Sequence, residues 1–80
     1  MKGQAMDIDD NYGNATNAEM YHWIKENLDF DQLIWEFGDD DNPNWLHVSY
    51  VDPTSNRNRC LRAYRSNGKT AYSVIWIQIN

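Results

Sequence analysis

The side chains able to do chemistry fall into four groups. Carboxylates cluster at Asp7, Asp9 and Asp10, at Asp29 and Asp31, and at Asp39, Asp40 and Asp41. Imidazoles occur at His22 and His47, and the one thiol is Cys60. Guanidiniums gather late in the chain, at Arg57, Arg59, Arg62 and Arg65. Carboxylate oxygens and imidazole nitrogens are the donors that hold divalent metals, and an arginine fork suits bidentate capture of a carboxylate. Each group also has a plainer role. Asp9 and Asp10 flank a turn, and the acids at 39–41 belong to a Gly-, Asn- and Pro-containing loop that keeps them in water. His22 lies off the apolar stripe of a helix. Arginines on strands commonly keep a sheet edge soluble. Cys60, in an alternating segment, reads as a small core residue, and a single cysteine excludes an internal disulfide.

The elements that must position these groups can be read from periodicity and punctuation. Gln4 to Asp9 alternates and predicts a short strand with Asp7 and Asp9 on one face and Met6 and Ile8 on the other. Asn11-Tyr12-Gly13-Asn14 is rich in turn formers. Thr16-Asn17-Ala18-Glu19 has the form of a capping box. It opens a helix running to about Asn27, with Met20, Trp23, Ile24 and Leu28 as the expected buried stripe. Tyr21, His22, Lys25 and Glu26 fall off that stripe. Gln32 to Phe37 predicts a strand with Leu33, Trp35 and Phe37 on one face and Ile34 and Glu36 on the other. After the 38–44 loop, Trp45 to Val51 predicts a strand with Trp45, His47, Ser49 and Val51 sharing a face. Cys60 to Arg65 alternates again, and the same geometry puts Arg59 and Arg65 on one face. Ser66-Asn67-Gly68-Lys69 predicts a type I′ hairpin, since Asn-Gly accepts positive φ at both central positions. Thr70 to Ile79 follows as a long β-branched and aromatic strand. The order is β-α-β-β-β-β, an α+β domain with one helix packed on a mostly antiparallel sheet.

Bulk properties bound the function. Eighty residues make one domain (1–80) with a thin core, and four tryptophans and five tyrosines supply large apolar areas for it. A net charge of -5 argues against a protein that grips a nucleic-acid backbone. No apolar stretch approaches the length of a membrane span, and no basic segment followed by an apolar run reads as a signal peptide.

Four segments, in order, carry a family resemblance. Gly3-Gln4-Ala5-Met6-Asp7-Ile8 resembles the Gly-x-Ala-x-Asp-Ile run that carries zinc ligands in the hedgehog/D,D-peptidase group, which includes D-Ala-D-Ala carboxypeptidases and phage endolysins of the peptidase M15 type. Glu19 to Leu28 resembles that group's Glu-Leu-x-x-Trp-Ile-x-x-Asn-Leu helix. Asp29 to Phe37 resembles its Phe-Asp-Gln-Leu-Ile-x-Glu-Phe strand, and Trp45-Leu46-His47-Val48-Ser49-Tyr50 resembles its Trp-x-His-Val-Ser strand. The likeness runs from Gly3 to about Tyr72 and corresponds to the C-terminal two-thirds of such a domain, a truncated hedgehog/D,D-peptidase-like fold.

The resemblance implies roles. Asp7 and His47 would be two zinc ligands. The family pattern reads Ser-x-His, then six residues, then Asp, so its first histidine would fall immediately before Met1. Other branches place a glutamate three residues, or a histidine two residues, before the last histidine ligand. Here those positions are Asn44 and Trp45, which leaves Glu36 as the general base. The family's carboxylate-binding arginine lies upstream of the first histidine and has no counterpart here. The implied cofactor is zinc in the complete domain, not retained by two ligands alone, and the implied partner is a bacterial peptidoglycan peptide. The expected function is that of a fragment or shortened relative of a zinc-dependent cell-wall peptidase, inactive as this chain. The alternatives are a binding module for wall peptides or a protein partner that has lost the metal, and a piece of a longer enzyme in which Met1 is an internal methionine.

Overall fold

A computed structural model describes residues 3–10 and 13–75. Along the chain it has β1 (Gln4–Ile8), α1 (Asn17–Asn27), β2 (Gln32–Glu36), β3 (Trp45–Tyr50), β4 (Arg59–Ser66) and β5 (Lys69–Val74). Among the described residues the fold is α+β: one helix on an open five-stranded sheet of order β1-β3-β2-β4-β5. The sheet is mixed. β1–β3, β2–β3 and β4–β5 pair antiparallel, whereas β2–β4 pair parallel. The parallel ladder follows from the path after β3. β3 ends beside the start of β2, and the 51–58 connection crosses that end to set β4 on the other side of β2. The crossing is fastened by Asn58 N donating to Phe30 O and Arg59 N donating to Asp31 O, both at 2.9 Å. The Asp31 carboxylate accepts from the Arg57 backbone N and from its Nε and Nη2.

The helix begins as its sequence dictates. Thr16 Oγ1 accepts from Glu19 N at 3.0 Å, and Glu19 Oε1 accepts from Thr16 N at 2.8 Å. Its buried face differs from the expected stripe. Asn17, Tyr21 and Ile24 are buried, while Trp23 is 57% and Leu28 50% exposed. Met20 packs at the core margin. The cause is the anchor at Asn17. Its side-chain nitrogen lies 2.8 Å from Asp9 Oδ1 and 2.9 Å from Asn44 O, and its oxygen accepts from Asp10 N. Residues 17, 21 and 24 share a face at helical spacing, so fixing Asn17 inward turns Tyr21 into the core and rotates Trp23 outward.

The main core lies between helix and sheet: Tyr21, Ile24, Phe30, Leu33, Trp35, Leu46 and Cys60. Leu33 and Leu46 are fully buried, and such a side chain contributes about 1.5–3 kcal/mol. Tyr21 meets Trp35 edge to face, with ring centroids 5.3 Å apart. A smaller cluster of Ile34, Leu61 and Ala63 occupies the opposite face. β2, with neighbours on both edges, is therefore buried on both faces. Phe37 does not continue the Leu33–Trp35 face as expected. Its φ of 56° breaks the alternation, and its ring packs on the Ile34 cluster, 5.6 Å from the ring of Trp45. The hairpin takes its expected form, with positive φ at both Asn67 and Gly68. The expected continuation of the last strand through Ile79 lies, from Trp76 on, outside the described residues, as do Asn11 and Tyr12 of the first turn.

Candidate functional site

Directly opposed residues of neighbouring strands share a sheet face, so the ladders define which side chains meet. On the face away from the helix one row runs Asp7, His47, Ile34, Leu61, Val74 across all five strands. The next runs Trp45, Glu36, Ala63, Tyr72 across β3, β2, β4 and β5. On the other side of the first row lie Ala5, Ser49, Gln32 and Arg59. This is the face that positions the site.

Asp7 and His47 are 40 residues apart in sequence and form a direct cross-strand pair, with His47 Nδ1 2.9 Å from Asp7 Oδ1. Asp7 is exposed on the edge strand, and His47 is partly covered. The register that opposes them also lays Met6 beside Val48 and Ile8 beside Leu46 on the helix side. A one-residue slip would turn all of these to the wrong face.

Glu36 is the diagonal neighbour of His47, one pair along on the same face. It is only 8% exposed. Burial raises its carboxyl above the ordinary carboxylate range; the His47 imidazole opposes that rise and the Asp7 carboxylate adds to it. Among the described residues its carboxylate accepts no hydrogen bond, and its backbone oxygen accepts from Asn44 N at 2.9 Å. A buried carboxylate with raised proton affinity beside an imidazole and a second carboxylate is the environment in which a general base is tuned.

Next to His47 the face opens into a groove of about 450 Å³, lined by Gln32, Ile34, His47, Arg59, Leu61, Tyr72 and Val74. Strand alternation places Gln32, Arg59, Leu61 and Tyr72 on faces, but it does not say that β2, β4 and β5 stand side by side next to His47. Strand order supplies that.

The other chemistry-bearing residues take structural positions. Asp9 meets the Asn17 side chain, and Asp10 accepts from Gly13 N and Ala15 N, so both acids organise the approach to the helix. His22 is exposed on the helix, against the rings of Tyr21 and Trp35. Asp39, Asp40 and Asp41 are exposed, with Asp39 Oδ1 accepting from Asp41 N and Asn42 N inside the loop. Cys60 is a free, buried thiol. β4, which carries Arg59, Arg62 and Arg65, lies between β2 and β5 and is not a sheet edge.

Among the described residues no group of three or more His, Cys, Asp and Glu side chains is placed to hold a metal ion. Two ligands at 2.0–2.1 Å from a tetrahedral zinc are themselves about 3.4 Å apart, and the Asp7–His47 separation is within half an ångström of that. Asp7 and His47 are donors of a type that zinc accepts, and their 2.9 Å contact is a hydrogen bond. No helix among the described residues is long and apolar enough to cross a membrane. Comparison with known protein families, with curated proteins and with solved structures found no match.

Proposed function

We propose that this chain carries part of the metal centre of a zinc-dependent bacterial cell-wall peptidase of the M15 type, in a hedgehog/D,D-peptidase-like sheet. Asp7 and His47 are two ligands, and Glu36 is the general base. The observation that carries the reading is the pairing of Asp7 with His47 at 2.9 Å across 40 residues of sequence, with buried Glu36 beside them. The three residues come from separate motifs and lie on one sheet face. The resemblance calls for a third ligand, a histidine, which the described residues do not place beside these two.

Zinc held by Asp7 and His47 would act as a Lewis acid and lower the pKa of water. The chain's own contribution is to hold donors and move a proton. The β1–β3 ladder fixes Asp7 against His47, the desolvated Glu36 carboxylate takes a proton and passes it to a leaving amine, and the groove beside His47 receives the peptide. The substrate is a stem or cross-link peptide of the bacterial wall, containing D-amino acids. A second reading, a non-catalytic binder of wall peptides that has lost the metal, is favoured by the one-donor deficit among the described residues.

Extending the chain at its amino end by a Ser-x-His segment placed immediately before Met1 tests the choice. The extended protein is expected to hold one zinc per chain and to hydrolyse wall peptides, and the 80-residue chain to do neither. A folded, zinc-loaded extended protein that leaves wall peptides intact would remove the peptidase reading. An extended protein that folds without zinc would favour the binding module.

A further inference from the structure

We propose that Asn17 is the positioning residue of the Asp7–His47 pair, fixing the register of β1 on β3 from beyond the end of their ladder. What the pair does rests on the peptidase reading; how it is held in register rests on the fold alone.

β1 has little else to fix it lengthwise. It is a five-residue strand at the edge of the sheet, exposed from Gln4 to Asp7, and its one half-buried residue, Ile8, touches the core margin. A slip of one residue is resisted, because it exchanges the two faces. A slip of two is not. It keeps Asp7 on the His47 face and Met6 on the helix side, opposite Leu46 or Tyr50 instead of Val48. Leu46 and Tyr50 offer apolar surface as Val48 does, so burial discriminates poorly among the three. The same slip carries Asp7 about 6.8 Å along β3, to face Trp45 or Ser49. The contact with His47 is then lost.

Asn17 supplies the missing constraint. It is 6% exposed and sits where the end of β1 meets the start of β3. Toward β1, its Oδ1 accepts from Asp10 N at 2.9 Å and its Nδ2 donates to Asp9 Oδ1 at 2.8 Å. Toward β3, Nδ2 donates to Asn44 O at 2.9 Å and to Pro43 O at 3.2 Å. One side-chain amide therefore ties the residues directly after β1 to those directly before β3. A slip of two would draw Asp9 and Asp10 about 6.8 Å from that amide, beyond hydrogen-bond reach. The amide is itself held on a fixed post. The capping box sets the helix start, and Asn42 Oδ1 accepts from Ala18 N at 2.8 Å. Asn44 N also donates to Glu36 O at 2.9 Å, so the tie reaches the strand of Glu36 through one residue.

The test is hydrogen exchange and imidazole NMR on the metal-free 80-residue protein. Exchange reports the opening of each ladder separately. Asn17→Ala should lower protection of the β1 amides that pair with β3 by about tenfold or more, from the loss of several hydrogen bonds, and in excess of any loss in the β2–β4 ladder. His47 reports the register itself. Its Nδ1 lies 2.9 Å from Asp7 Oδ1, and a carboxylate there calls for a proton on Nδ1. Ring nitrogen shifts at about pH 8, above the ordinary imidazole range, should show that tautomer in the native protein and a smaller share of it in Asn17→Ala. Asn17→Ser, which keeps a donor and an acceptor, should recover part of both signals. Asn42→Ala loosens the helix start without touching β1 and should leave the tautomer unchanged. Asp9→Ala, at an exposed position, cuts one bond toward β1; it covers the case in which Asn17→Ala folds poorly, and should lower β1–β3 protection by about threefold. Equal loss of protection in the β1–β3 and β2–β4 ladders, a β1–β3 ladder that stays fully protected in both Asn17→Ala and Asp9→Ala, or an Asn42→Ala protein that matches Asn17→Ala would overturn the proposal. If these variants behave as expected and the extended protein takes no zinc, the peptidase reading falls and the role of Asn17 in the register stands.

Discussion

Replacing Glu36 by glutamine should stabilise the protein while disabling the chemistry proposed for it. Glu36 is 8% exposed on the central strand, and its carboxylate finds no donor among the described residues. Burial holds its proton affinity above the ordinary value of 4.5, against the opposing pull of His47. The sign follows from linkage. A carboxyl whose folded pKa is raised favours the fold when protonated, and that contribution is fully present below 4.5 and lost as pH rises through the higher folded value. At pH 7 the native protein therefore carries a poorly solvated charge that glutamine, of nearly the same shape, does not. The expected gain is on the order of 1 kcal/mol, the usual scale for a partly compensated buried polar group. For a domain this small, with a urea slope of about 1 kcal/mol/M, the unfolding midpoint moves up by about 1 M. Below 4.5 the two proteins should converge. In a version extended by Ser-x-His before Met1, the proposed function has the same substitution cut wall-peptide hydrolysis by about 10²–10⁴-fold, the range for loss of a general base. Urea titrations at neutral and acid pH, followed by tryptophan fluorescence, read the first part. A Glu36→Gln protein less stable than the native one at pH 7, or a gain that persists unchanged in acid, would refute the placement of a desolvated carboxylate at this position.

Two further substitutions test the frame around the site. Gly38→Ala should cost more than about 1 kcal/mol in urea unfolding, because Gly38 has φ +73° and an added Cβ would meet Asn42 O at 2.3 Å and Pro43 Cα at 2.8 Å, both backbone; full stability in that variant would mean the 38–44 loop is built differently. Asp31→Asn should lower stability at neutral pH and lose its effect in acid. The hydrogen bonds from Arg57 hold the Asp31 carboxyl below its ordinary 3.8, so its contribution is present above that value and disappears as pH falls through the lower folded one. Urea midpoints of the two proteins that stay parallel from neutral pH into strong acid would contradict it.

Local chemistry in the chain was enough to announce the helix start, the Asn-Gly hairpin and the face on which His47 lies, since each depends on a few neighbouring residues. It did not give the helix rotation. The apolar stripe of Met20, Trp23, Ile24 and Leu28 competes with an equally helical set, Asn17, Tyr21 and Ile24, and the choice is made by bonds from Asn17 to Asp9 and to backbone at Asn44, 27 residues away. Nor did it place Phe37. Period-two alternation assumes extended backbone, and a positive φ at that residue sends the ring to the other side of the sheet.

The sequence by itself determined which elements form and which face of each strand bears Asp7, Glu36, His47 and Arg59, because side-chain alternation is a property of the strand alone. Only the tertiary structure decided which strands are neighbours. Strand order depends on how the 51–58 connection crosses the end of β2, a long-range choice that closes β2 against β4 in parallel. That choice brings Arg59 into the same groove as His47, which it never approaches along the chain.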